Sequence, residues 1–111
     1  MKTPFVDIDS VASLDEFLAT ANGGAAVLFK HSETCGVSAR AHTEMSRIVQ
    51  PVGLVSVQRA RAVSDEIEKR WRVPHETPQV LIVRDGKLLW DASHSHVRAE
   101  AVGLALVSSD G

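Results

Sequence analysis

The chain alternates between two kinds of apolar pattern. Continuous runs stand at 25–29 (AAVLF) and 79–83 (QVLIV), bounded by glycine or polar residues. Such runs read as strands buried on both faces. LVSV at 54–57 predicts another strand, and FVDID at 5–9 a short edge strand. Between them the apolar positions take helical spacing. Leu14, Phe17, Leu18 and Ala21 form one stripe, with Ser13 in the N-cap place and Glu16 three residues on, the capping-box spacing. Asn22-Gly23-Gly24 stops that helix. Val37, Ala41, Met45, Ile48 and Val49 predict a helix over 36–50, closed by Pro51 and Gly53. Ser64 reads as the N-cap of SDEIEKRW, with Asp65 and Glu66 in the first turn and Pro74 beyond the end. Asp85-Gly86 is a hairpin turn joining QVLIV to KLLWDAS. Val97, Ala101, Leu104 and Ala105 predict a last helix over 97–107, which Gly103 weakens slightly.

The order is strand, helix, strand, helix, strand, helix, hairpin, helix. Strand–helix–strand units make parallel neighbours, and the hairpin adds an antiparallel edge. The expectation is an α/β fold with a central mixed sheet of four to five strands flanked by helices. The 111 residues suit one domain over 1–111. A formal net charge of −2 argues against nucleic acid as a partner. Arg59, Arg61, Lys69, Arg70 and Arg72 read as a solvated helix face. No apolar run approaches the ~18 residues of a membrane span, and MKTPFVDIDS carries no apolar signal core. One cysteine makes no internal disulfide. These features favour a reducing, cytoplasmic setting and a catalytic or redox role for an accessible thiol.

That cysteine, Cys35, stands in VLFKHSETCGVS at the seam between a strand and a helix, with Thr34 and Gly36 on either side. A helix start points its free amides and the positive end of its dipole outward, which favours a thiolate. Lys30 and His31 can add positive charge. Ser38 lies one turn on, in reach of the sulfur. Cys-x-x-Ser has a chemical meaning: serine cannot close an internal disulfide, so a thiol from outside must resolve any mixed disulfide on Cys35. A second motif is Thr77-Pro78 before the strand at 79–83. Proline donates no ladder hydrogen bond. A cis Thr77–Pro78 bond would explain it, turning the chain and baring the Thr77 backbone. Loops at one edge of such a sheet build ligand sites, which would bring Pro78 beside Cys35. His31, His75, His94 and His96 lack zinc-site spacing and read as hydrogen-bonding groups between loops, or as contacts for an anionic thiol. Trp71 and Trp90 read as core anchors.

Together FKHSETCGVS, HETPQVLIVRDGKLLW and SHSH resemble the monothiol bacilliredoxin (YtxJ-like) family of the thioredoxin-fold superfamily, from about Leu14 to Leu106. The resemblance implies a thioredoxin-like fold and a cytoplasmic thiol-disulfide oxidoreductase. Its members are thought to remove bacillithiol from protein mixed disulfides. Cys35 matches the active cysteine and Pro78 the superfamily's cis-proline. The implied catalytic residues are Cys35 and Ser38. The implied substrate contacts are Lys30, His31, Thr34, Gly36, Thr77 and Pro78. No tightly bound cofactor and no metal are implied. A low-molecular-weight thiol, bacillithiol or glutathione, is the co-substrate, S-thiolated proteins are the partners, and the protein is a monomer or weak dimer. Gly36 stands where many relatives have proline, so TCGVS is also similar to the Cys-Gly-Phe-Ser motif of monothiol glutaredoxins. Two alternatives follow: an iron–sulfur cluster carrier or sensor, and a redox-silent adaptor on the same fold.

Overall fold

In a computed structural model, which describes residues 3–110, five strands form one sheet in the order β1-β3-β2-β4-β5. The strands are β1 (Phe5–Asp7), β2 (Ala26–His31), β3 (Val52–Ser56), β4 (Gln79–Arg84) and β5 (Lys87–Ser93). Strands β1, β3 and β2 are parallel, while β4 runs antiparallel to β2 and to β5. The helices are α1 (Val11–Thr20), α2 (Gly36–Met45), α3 (Arg61–Trp71) and α4 (Ala99–Asp110), with one 3-10 turn, His94–His96, before α4. The mixed sheet expected from the sequence is present, with its edge strand and its hairpin.

The sheet separates two apolar layers. Leu28, Leu81 and Val83 meet Leu14 and Phe17 of α1 and Val63, Ile67 and Trp71 of α3 on one face. Val27, Phe29, Val80 and Ile82 meet Ala41 and Met45 of α2 and Val102 of α4 on the other. Successive residues of a strand point to opposite faces, so a strand covered on both sides is apolar throughout. This is why β2 and β4 read as unbroken runs. Gly53 in β3 allows the closest approach. A Cβ there would lie 2.5 Å from Ile8 Cδ1 and 2.9 Å from Phe17 Cε2. The hairpin has positive φ at both Asp85 (51°) and Gly86 (77°), the turn whose twist matches the strands. Trp71 is buried and its Nε1–H donates to the Gly86 carbonyl at 3.1 Å. A bulge opposite Ile82/Val83 puts Leu88 against the α1/α3 layer and Trp90 against the α2/α4 layer.

Helix boundaries and one helix face differ from the sequence reading. Helix α1 is capped by Ser10, not Ser13. Ser10 Oγ accepts from Ser13 N–H at 3.0 Å and Ser13 Oγ accepts from Ser10 N–H at 3.0 Å, so the box is Ser–Ser and Glu16 stays outside it. Helix α3 starts at Arg61, not after Ser64, because buried Val63 belongs to its apolar stripe and the buried Ser64 hydroxyl turns toward His75. Helix α2 ends at Met45; Ile48 still packs inward from the following turn, while Val49 is fully exposed. In α4 the inward residue is Val102, and Leu104 is 65% exposed.

Candidate active site

Cys35 is the N-cap of α2, in extended conformation (φ −108°, ψ 127°). Its carbonyl accepts the first helical bond, from Ala39 N–H at 3.0 Å. Its side chain makes no capping bond, so the sulfur is not spent on the helix. The thiol is free and half-buried. Cys35 thus stands at the N-terminal, positive end of the α2 dipole, a position that favours an anion in general. A Cβ at Gly36 would meet no residue beyond its chain neighbours within 4 Å.

The loop before Cys35 is fastened from two sides. Gln58, beyond β3, accepts Glu33 N–H at 3.1 Å and donates to Ser32 Oγ at 2.8 Å and Thr34 Oγ1 at 3.3 Å. Arg59 pairs with Glu33 at 3.1 Å. From α2, Ser38 Oγ accepts Ser32 N–H at 2.9 Å and meets His31 Nδ1 at 2.8 Å. Burial lowers the pKa of His31, and repulsion from His42, whose ring lies 4.9 Å away, adds to it; Glu33 and Ser38 oppose the shift. A neutral His31 accepts a hydrogen bond from the Ser38 hydroxyl at Nδ1. Ser38 is therefore not turned to the sulfur, as the sequence suggests. Its hydroxyl is wholly buried and binds the loop that presents the sulfur.

Lys30 also differs from expectation. It is fully buried on the α1/α3 face, which rules out an exposed ligand contact. Its Nζ donates to His75 Nδ1 at 2.7 Å, and Ser64 Oγ lies 3.3 Å from the same nitrogen. Burial lowers the Lys30 ammonium to about 8, against the pull of Glu68, Asp65 and Glu76. With Nδ1 accepting, the ring proton of His75 sits on Nε2. His75 N–H is held by Glu68 at 2.9 Å. Beside Lys30, Gln79 donates to the Pro74 carbonyl at 3.1 Å, while its buried Oε1 has no partner among the described residues.

The Thr77–Pro78 bond is cis. Gln79 is paired with Lys30 and Ser56 with His31. The register therefore sets Thr77 and Pro78 abreast of His31 and of the loop leading to Cys35. Pro78 is buried, and Thr77 is half-buried. Neither the N–H nor the carbonyl of Thr77 has a partner among the described residues. His94 N–H donates to the Pro78 carbonyl at 2.8 Å, and His94 Nε2 meets Glu76 at 2.6 Å. His75 and His94 thus tie loops together. Among the described residues no three or more His, Cys, Asp or Glu side chains gather as a metal site.

A family model for monothiol bacilliredoxin BrxC matches residues 6–102. The chain belongs to the monothiol bacilliredoxin family. Its single cysteine suits a monothiol member. Solved structures agree on a thioredoxin fold. A thioredoxin-fold protein of suggested oxidoreductase activity superposes with a TM-score of 0.84 at 25% identity, covering 91% of this chain and 92% of that one. Trypanosoma brucei brucei thioredoxin gives 0.77 at 17% identity, covering 98% and 94%. Fasciola hepatica thioredoxin gives 0.76 at 12%, covering 92% and 96%. This bacilliredoxin-family chain therefore has the chemistry of a thiol-disulfide oxidoreductase. Gln58 and Gln79 escaped the sequence reading as site residues, and Ser64 reads there only as a helix cap. Each is a common polar residue in an unremarkable context, and only the fold brings it to the site.

Proposed function

We propose that the protein removes a low-molecular-weight thiol, bacillithiol or glutathione, from S-thiolated proteins through Cys35. The observation that carries this reading is a free cysteine capping a helix, with its side chain unbonded, at the sheet edge where the cis-proline loop arrives. The Cys35 thiolate attacks the small-thiol sulfur of a protein mixed disulfide. A Cys35–S–S–R bond forms, and the protein leaves as a thiolate. A second small thiolate then attacks the R sulfur, forms R–S–S–R and restores Cys35. The positive end of the α2 dipole favours the anionic sulfur at both ends of the cycle. The unpartnered Thr77 backbone pairs with the extended chain of the ligand, as in strand addition. Thr34 and Gly36 border the sulfur, and His31 and Ser38 position the loop. Lys30 acts only through His75. The same reading takes 1–111 as one domain, cytoplasmic, monomeric or weakly dimeric, without a tightly bound cofactor.

Incubating the reduced protein with a small-thiol disulfide tests this. The intact mass should rise by one small-thiol unit, located on Cys35 by peptide mapping and reversed by excess small thiol. A Cys35 that stays unmodified while a cysteine peptide reacts under the same conditions would overturn the reading.

A further inference from the structure

A groove of about 380 Å³ runs between α2 and the 3-10 turn before α4. Val37, Arg40 and Glu44 line one wall, and His94, His96 and Arg98 the other. One wall continues the turn that Cys35 caps. The other hangs from the cis-proline loop through the His94–Pro78 hydrogen bond. The groove therefore lies beside the exchange centre, joined to it through Val37 in the first turn of α2 and His94 bonded to the cis-proline loop, and its size suits a small ligand rather than a folded partner.

Its charge runs against that of the whole chain. The formal net charge is −2, yet the guanidinium groups of Arg40 and Arg98 have no partner among the described residues. The one acid in the groove is already engaged on both oxygens. Glu44 Oε1 accepts Ala99 N–H at 2.9 Å, and Oε2 pairs with Arg47 at 3.2 Å. Glu76, outside the groove's lining, is held by His94. Two unpaired guanidiniums lining a pocket favour a planar anion such as a carboxylate.

The spacing sets a length. Arg40 follows Cys35 by five residues, about 8 Å along a helix. Arg40 also stands about 140° round the helix axis from Cys35, so a ligand bonded to the sulfur reaches it only with an acid group set several bonds from its own sulfur.

We infer that this groove is the anion subsite of the exchange centre, where Arg40 and Arg98 bind a carboxylate of the small thiol. The preferred co-substrate is then a peptide-sized thiol bearing carboxylate remote from sulfur. This inference rests on the proposed exchange at Cys35.

The test compares rates of adduct formation on Cys35 with glutathione disulfide, which carries remote carboxylates, and with neutral 2-hydroxyethyl disulfide. Both are measured in the full chain and in its Arg40→Ala/Arg98→Ala variant. The expected result is a preference for glutathione disulfide that falls with added salt and drops by about tenfold or more in the variant, which loses two charge-assisted contacts. A preference identical in both proteins overturns the subsite while leaving the exchange reading standing. No adduct from either disulfide on the unaltered protein overturns both.

Discussion

Lys30 is a cation held where water does not reach, and its energetics can be read through pH. Its ammonium is lowered from 10.5 to about 8, chiefly by burial. Between those values the unfolded chain still binds the proton that the folded chain has released. Stability therefore rises with pH across that window, by on the order of 3 kcal/mol in full. In Lys30→Met this rise should vanish, and at neutral pH the variant should be as stable as the parent or more so, since an apolar side chain replaces a buried charge. Urea unfolding of both proteins at pH 7, 8, 9 and 10 checks this. Parallel pH profiles would contradict it. The residues that carry chemistry were the most legible ones. A lone cysteine at a strand–helix seam and a proline ahead of a strand are conspicuous by type. The partners of Lys30 were not legible, because strand alternation decides which face it meets and a sequence run apolar on both faces hides that alternation.

Among the elements, the hairpin, the buried strands and the start of α2 read true, while the starts of α1 and α3 did not. Ser10 and Ser13 both fit an N-cap. The earlier one wins because the two serines satisfy each other's backbone amides. Ser10→Ala should therefore cost about 1 kcal/mol, while Glu16→Gln should change stability by less than about 0.5 kcal/mol. Chemical denaturation midpoints distinguish them, and the opposite ranking would return the cap to Ser13. Helix α4 shows the other failure. It is apolar around much of its surface, so periodicity did not reveal that Val102 faces the sheet and Leu104 faces out.

At the scale of the whole molecule, topology gathers the site. Parallel β2 and β3 end at the edge where antiparallel β4 begins, so Cys35, Gln58, Thr77 and His94 arrive together from four separate connections. The apolar cavity of about 610 Å³ between β5 and α4, lined by Leu89, Trp90 and Leu104, includes none of these residues. The central claim is that the sulfur of Cys35 takes the small thiol and not the protein. It is tested most directly by mixing the reduced protein with one equivalent of an S-thiolated target, quenching with acid, and weighing both chains by mass spectrometry. The account predicts that Cys35 gains the small-thiol mass in step with its loss from the target. A disulfide-linked complex of the two proteins, or a target that keeps its adduct, would contradict it.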